Sequence, residues 1–316
     1  MSVKKKLIIV IPFLNEEDNL SLYKNRIEET ERTINNINIE FLFVDDGSTD
    51  NSFEIVKNLS LEMNNVKVIK LSKNYGSHYA IFAAIDNLKE CDYFSFMSAD
   101  MQEPIHLYQD MLTKFNSDSN IDIVLADRQN RNTDKLSILF SKIYNSLVQK
   151  YAISNFPTKG VDIFMLNVNV LKSLQNMNIK NTSIYGNIFN MGYTKEYVPY
   201  FQLSRNSGQS KWTFQKKVKM FIDTFVSFSV VPLRLITILG VIFSTIGFGY
   251  GLYIILMSLF GNIVVEGWST LVALNTFGFG LLFLMLGIIS EYIWRIYDQI
   301  NPNKSYIIKE KIGFDE

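Results

Sequence analysis

Cysteine is nearly absent from this chain: Cys91 stands alone among 316 residues. A single thiol excludes an intrachain disulfide and suits a reducing compartment. Histidine is almost as scarce. His78 and His106 fall outside any H-E-x-x-H pattern, so neither they nor the lone cysteine suggests a zinc site. Net charge is missing as well, with 31 basic side chains against 31 acidic ones, which gives no electrostatic reason to expect nucleic acid. G-x-G-x-x-G and G-x-x-x-x-G-K-[ST] are both lacking, which removes the dinucleotide and P-loop readings. A signal peptide is suggested only in outline by Lys4-Lys5-Lys6 and the apolar residues that follow. Pro12 interrupts that run, Asn15-Glu16-Glu17-Asp18 succeeds it and no small-residue cleavage site is evident, so the segment reads as a first buried strand.

What the chain does have is two charge-free apolar runs near its C-terminus, residues 235–260 and 267–290. Each is long enough to cross a hydrocarbon core of roughly 30 Å as a helix, and longer than the ~10–14 apolar residues typical of a buried core helix. The connector carries Glu266 and no Lys or Arg. Lys211, Lys216, Lys217, Lys219 and Arg234 precede the pair, and Arg295, Lys304, Lys309 and Lys311 follow it. By the positive-inside rule the pair is a hairpin in the inner (plasma) membrane, with the catalytic-looking part and both termini cytoplasmic. Gly240, Gly247, Gly249, Gly251, Gly278, Gly280 and Gly287 offer close helix contact, within the pair or in a homo-oligomer. Just before the pair, Phe214, Val218, Phe221, Ile222 and Phe225 recur at helical spacing while lysines take other positions. That pattern predicts an amphipathic helix on an anionic lipid surface, or one packed on the globular part.

Upstream, short apolar runs at 6–13, 40–44, 66–71 and 93–97 alternate with helical-period segments at 17–35, 50–63 and 77–88. Strands alternating with helices imply right-handed crossovers and a largely parallel sheet, in which ligands bind beyond the carboxyl ends of the strands. The polar clusters Asn15-Glu16-Glu17, Asp45-Asp46-Gly47-Ser48-Thr49-Asp50, Ser72-Lys73-Asn74 and Ser98-Ala99-Asp100 all fall at that edge. Each alone would be ordinary turn or cap chemistry; their convergence on one rim points to a site. Asp45 and Asp46 at a strand end can accept from a base or ribose hydroxyl, and Gly47 would let backbone approach a ligand.

Ile11-Pro12-Phe13-Leu14-Asn15-Glu16-Glu17 together with Val44-Asp45-Asp46-Gly47-Ser48-Thr49-Asp50 resembles the inverting family-2 glycosyltransferases of GT-A fold. Leu71-Ser72-Lys73-Asn74-Tyr75-Gly76, Ser204-Arg205-Asn206-Ser207-Gly208-Gln209-Ser210-Lys211-Trp212 and Pro232-Leu233-Arg234 are similar to segments of one branch. That branch is the polyisoprenyl-phosphate glycosyltransferases, of dolichyl-phosphate mannose synthase and GtrB type. Two segments depart from it. Where the branch reads D-A-D-L-Q-D-P-P, this chain has Ser98-Ala99-Asp100-Met101-Gln102-Glu103-Pro104. Where it reads G-D-F-R-L, Gly160-Val161-Asp162-Ile163-Phe164-Met165 keeps the aspartate and loses the arginine.

The resemblance implies a GT-A domain over residues 1–210, a juxtamembrane helix over 211–232, a transmembrane hairpin over 233–294 and a cytoplasmic tail over 295–316. It implies a nucleotide-sugar donor held by Pro12, Asn15, Glu16, Asp45, Asp46, Lys73 and Asp100. It also implies a polyprenyl phosphate acceptor such as undecaprenyl phosphate, with UDP-glucose the first donor to consider. The product would be a lipid-linked monosaccharide for modifying cell-envelope polysaccharide.

A nucleotide-diphosphate leaving group needs its charge neutralised, usually by Mg²⁺ or Mn²⁺ held by few protein oxygens and the phosphates themselves. Asp100 is the leading metal ligand, with Gln102 and Ser98 beside it; serine in place of a carboxylate lowers the ligand charge. A phosphomonoester with a second pKa of about 6 is already nucleophilic at neutral pH, so it needs positioning by cations more than a strong base. Arg128, Arg131, Arg205, Ser210 and Lys211 are the residues expected at the acceptor phosphate. Asp162 is expected as a catalytic or acceptor-orienting carboxylate. A weakly catalytic lipid-phosphate-binding scaffold is the alternative from another class; a processive polysaccharide synthase would call for a Q-x-x-R-W segment and more spans.

Overall fold

The computed structural model describes residues 4–129, 135–153, 156–157, 161–177, 183–203, 226–260, 267–301 and 305–314. Its centre is β1 (Lys6–Phe13), whose residues Leu7 to Ile11 are buried in succession rather than alternately. A strand covered on both faces reads as a continuous apolar run, as expected for the middle of a parallel sheet.

β2 (Asn38–Asp45) and β4 (Tyr93–Phe96) flank β1 in parallel, and β3 (Val66–Leu71) continues the parallel pairing beyond β2. On the other side, β6 (Val161–Asn167) inserts antiparallel between β4 and β5 (Ile123–Arg128), and β7 (Lys195–Tyr200) pairs parallel with β5. With a last strand β8 (Ile308–Ile312), the sheet order is β7-β5-β6-β4-β1-β2-β3-β8. The expected mostly parallel α/β sheet is therefore present.

Helices α1 (Glu17–Leu20), α2 (Tyr23–Thr33), α3 (Ser52–Glu62), α4 (Ser77–Asn87) and α5 (His106–Ser117) supply the connections in the first half. The single helix expected over 17–35 is broken into α1 and α2. The Ser21 hydroxyl donates to the Asp18 carbonyl at 2.7 Å, and Leu22 N–H turns back to Asn19. Such side-chain bonds compete with helical continuation. Further along come α6 (Lys135–Tyr151), α7 (Val168–Gln175) and α8 (Ile184–Asn190).

Two long helices follow, α9 (Val231–Leu259) and α10 (Trp268–Ile300). Both contain membrane-length stretches, with mean hydropathy 1.9 over Val231–Tyr253 and 1.8 over Leu274–Ile300, and neither stretch is buried within the protein. Exposure on this scale separates them from core helices, which hide their apolar faces. Of the glycines expected to bring helices together, Gly278 does so: a Cβ there would lie 3.3 Å from the Phe243 ring. Gly240, Gly247, Gly249, Gly251, Gly280 and Gly287 face open space.

After α10 the chain returns to the globular domain. β8 (Ile308–Ile312) pairs antiparallel with the outer edge of β3, so the segment expected as a free tail is in part a strand of the sheet. Its sequence, IKEKI, places charged residues at alternate positions, a pattern typical of an edge strand. Tyr306, 5% exposed, donates its hydroxyl to Asp86 on α4, and Ser72 N–H donates to the Ile307 carbonyl at 2.9 Å. At the other end, Phe228 packs where a side chain on Gly186 of α8 would stand, 2.4 Å from its ring. Tyr292 of α10 donates to the Ser229 carbonyl at 3.1 Å. The helical pair thus leaves and rejoins the same domain.

Candidate active site

The rim at the carboxyl ends of β1, β2, β3 and β4 is stitched together by side chains that meet backbone N–H groups. Asn15, at φ +51°, accepts from Thr49 N–H at 2.8 Å, while its own N–H donates to the Ser48 hydroxyl at 3.0 Å. Glu16 N–H donates to Ser52 Oγ at 2.8 Å, and Glu17 accepts from Asn51 N–H at 3.1 Å. The loops after β1 and β2 therefore form one unit. Pro12 sits half-buried on β1 opposite Val44.

Asp45 and Asp46 have different surroundings. Asp46, 4% exposed, accepts from Tyr75 N–H at 2.7 Å and Gly76 N–H at 2.8 Å, putting its carboxylate at the start of α4. A carboxylate is favourable against the positive end of a helix, and here it also fixes the loop after β3. Asp45 is fully buried; its Oδ1 accepts from Ser48 N–H at 2.7 Å, and its Oδ2 has no hydrogen-bond partner. Leaving a buried acceptor unmet costs roughly 1–3 kcal/mol, a cost that a donor group on a ligand would remove.

Gly47 also brings a second loop close. At φ +79°, a Cβ there would fall 2.5 Å from the Lys73 carbonyl carbon and 2.7 Å from Asn74 N. The missing side chain makes room for the β3–α4 loop. Lys73 in that loop is exposed, with its ammonium 5.2 Å from the Tyr75 ring centre.

Asp100 lies half-buried just beyond β4. The next residue, Met101, holds φ +57°, a left-handed conformation that costs a non-glycine residue roughly 1–2 kcal/mol. Such strain concentrates at functional sites. Ser98, expected beside Asp100 as a metal ligand, donates its hydroxyl to Glu103 at 2.6 Å, and its N–H donates to the same carboxylate at 3.2 Å. Glu103 is 2% exposed. Burial pushes its carboxyl above the usual range, and the Ser98 hydroxyl bond pulls back against that shift. Gln102 is drawn toward the end of β7: its Oε1 accepts from Gln202 Nε2 at 3.1 Å, and its Nε2 donates to the Leu203 carbonyl at 3.4 Å.

Arg128 and Asp162 come together across the β5–β6 pair. Arg128 Nε is 3.1 Å from Asp162 Oδ2, an ion pair whose N–H lies off the hydrogen-bond line. Arg128 Nη1 donates to Gln202 Oε1 at 2.5 Å. The Tyr200 hydroxyl donates to Asp162 Oδ2 at 3.3 Å, and Tyr185 donates to the Asp162 carbonyl at 2.7 Å. Burial first, and the Asp162 charge second, hold the Tyr200 phenol above its usual range, keeping it a donor. Phe164, at the position of the missing arginine, is fully buried against Phe94, Phe96 and Tyr185.

Gln102 and the Arg128–Asp162 pair are thus joined through Gln202, and Gln102 N–H donates to Asp100 Oδ1 at 3.4 Å. Arg131, Arg205, Ser210 and Lys211 lie outside the described residues, as does most of the expected juxtamembrane helix. Sequence reasoning missed Glu103, Tyr200 and Gln202; only Glu103, inside the Ser98-to-Pro104 segment, carried a sequence signal. Cys91 has no part in this chemistry, since burial pushes its thiol up to about 12 and keeps it protonated.

Residues 8–175 match the family described as glycosyl transferase family 2. The chain belongs to that family. The glycosyltransferase is 30% identical over 311 residues to an uncharacterized glycosyltransferase, YkcC, of Bacillus subtilis, covering 97% of this chain and 94% of that one. It is 27% identical to a prophage bactoprenol glucosyl transferase homolog of Escherichia coli, covering 96% and 98% of the two chains. An undecaprenyl-phosphate 4-deoxy-4-formamido-L-arabinose transferase of Klebsiella pneumoniae is 28% identical, with 98% and 94% covered. Among solved structures, a Pyrobaculum calidifontis mannosyltransferase in complex with GDP-Man and Mn²⁺ matches with TM-score 0.48 and 14% identity, over 66% of this chain and 59% of that one.

Proposed function

We propose that this glycosyltransferase moves a sugar from a nucleotide-diphosphate sugar to a polyprenyl phosphate at the cytoplasmic face of the plasma membrane. The observation that carries the reading is the attachment of the site. The domain whose rim holds Asp45 and Asp100 both gives rise to and takes back a pair of exposed, membrane-length helices. A domain held at the bilayer by such helices brings a water-soluble donor to a lipid acceptor. Full-length relatives named for bactoprenol and undecaprenyl-phosphate acceptors support the same reading.

In this scheme an oxygen of the acceptor phosphate attacks the anomeric carbon while the bond to the nucleotide diphosphate breaks, with inversion. Asp45 Oδ2, buried and unmet, accepts from the donor's base or ribose. Asp46, Asn15 and Glu16 hold the rim loops in register, with Pro12 and Lys73 at the donor's edge. Among the described residues no group of three or more His, Cys, Asp or Glu is placed to hold a metal by itself. One carboxylate with diphosphate oxygens is nonetheless a normal Mg²⁺ or Mn²⁺ arrangement, and Asp100 with Gln102 suits it. A cation bound there would neutralise charge on the leaving diphosphate. Ser98 donates its hydroxyl proton to Glu103 and keeps oxygen lone pairs as a neutral ligand for the cation. Arg128, with Arg131, Arg205, Ser210 and Lys211, serves the acceptor phosphate, and Asp162 orients Arg128.

Glucose is the first sugar to test. Protein in detergent or vesicles, given undecaprenyl phosphate and Mg²⁺ or Mn²⁺, is offered labelled UDP-glucose, UDP-galactose, UDP-GlcNAc, UDP-GalNAc and GDP-mannose in turn. Label entering the lipid phase from one donor supports the reading and identifies the sugar. Folded protein that labels lipid from none of them sinks it and favours a binding scaffold.

A further inference from the structure

The polar chain running from β5 to the Asp100 turn has a direction. Arg128 donates to Gln202 Oε1 at 2.5 Å, Gln202 Nε2 donates to Gln102 Oε1 at 3.1 Å, and Gln102 Nε2 donates to the Leu203 carbonyl at 3.4 Å. Each amide has one oxygen and one nitrogen, so the cation at one end fixes the rotation of both. The backbones are joined too: Leu203 N–H donates to the Gln102 carbonyl at 2.8 Å. Gln129 N–H, just past Arg128, donates to the Tyr200 carbonyl at 2.9 Å. Beyond Leu203 the sequence leads directly to Arg205 and Lys211.

We propose that Gln202 is a positioning residue for sugar transfer, locking the Gln102 side chain beside Asp100 to the Arg128–Asp162 pair. The inference rests on the transfer reaction proposed above, and it requires no contact between Gln202 and either substrate. Gln202 is half-buried, and its amide stands between the turn assigned to the donor and the cation assigned to the acceptor. A residue that fixes the orientation of a ligating side chain changes metal affinity or activity by about 10–100-fold when removed. A residue that merely packs changes stability and leaves those quantities alone.

Two variants test this. Gln202→Leu keeps the bulk and removes both amide bonds. Gln202→Glu keeps an acceptor for Arg128 and removes the donor to Gln102. The probes are Mn²⁺ binding to the UDP-bound full-length protein, followed by the paramagnetic signal of free Mn²⁺, and steady-state transfer to undecaprenyl phosphate. For Gln202→Leu the expected result is Mn²⁺ affinity weakened about tenfold and kcat lowered about 10–100-fold, with KM for UDP-sugar changed far less. Gln202→Glu is expected to lose Mn²⁺ affinity to a similar degree. Leu and Glu variants that both keep Mn²⁺ affinity and kcat within about twofold of wild type, whatever their melting temperature, overturn the proposal. If Gln202→Leu fails to fold, Gln202→Glu decides on the same two readouts. Wild-type protein that transfers no sugar to lipid defeats the transfer reading alone, and the Mn²⁺ arm then still decides whether Gln202 positions Gln102.

Discussion

On the β1–β3 side of the sheet, polar side chains meet backbone N–H groups; on the β5–β7 side they meet one another. Asp46 holds Tyr75 and Gly76 and Asn15 holds Thr49, each across a short gap between loops, while Asp45 holds Ser48 within its own turn. Arg128, Asp162, Tyr200, Gln202 and Gln102 instead form a side-chain network that crosses strands. Carboxylates spent on backbone amides build a rigid frame. Side chains bonded to other side chains carry orientation from one element to the next. The first region is suited to keeping a fixed rim, and the second to tying the Asp100 turn to the β5–β6 pair.

Gly47→Ala attacks the rigid side most severely. The new Cβ would meet the Lys73–Asn74 backbone at 2.5–2.7 Å, and the residue sits at φ +79°. Overpacking and left-handed strain together are expected to cost about 3 kcal/mol of stability, read as a shift in urea midpoint. A variant within about 0.5 kcal/mol of wild type would mean that this loop is not fixed.

Asp162→Asn attacks the network. It removes the charge facing Arg128 while keeping the shape, and transfer is expected to fall about 10²-fold with the melting temperature changed little. A loss of stability without loss of kcat would make Asp162 part of the frame instead.

Glu103 gives the smallest effect and the clearest sign. Its folded carboxyl titrates above the ordinary range, so the folded state binds the proton more tightly than the unfolded chain does. Its contribution is present below the ordinary carboxylate pKa and is lost as pH rises through the raised folded value. The stability of Glu103→Gln relative to wild type should therefore improve as pH rises across that window, measured by paired thermal melts. A constant difference across that range would mean that burial does not perturb Glu103.

The same comparison explains what the sequence could disclose. Asp45, Asp46 and Gly47 were legible because a strand end, two carboxylates and a turn lie side by side in the chain. Even there, the close approach of Lys73 and Asn74 to Gly47 has no signal in the sequence, which does not say which loop crosses overhead. Arg128, Asp162 and Gln202 are far apart in sequence and meet only because β6 enters antiparallel between β4 and β5. No local pattern announces that insertion. Ser98 occupies an acidic position of the motif it resembles, but its bond to Glu103, five residues later and buried, has no signal in the sequence. The return of β8 to β3 was hidden for a related reason, as five alternating residues after a long apolar helix read equally well as a tail.

In the proposed reaction Asp100 anchors the donor's diphosphate for transfer to a membrane lipid. The most direct test compares wild type with Asp100→Ala in identical vesicles containing undecaprenyl phosphate, Mn²⁺ and the preferred labelled donor, after matched melting curves establish that both are folded. Lipid labelling is expected to be at least about 10³-fold slower in the variant. A folded variant that labels lipid within about threefold of the wild-type rate would contradict it.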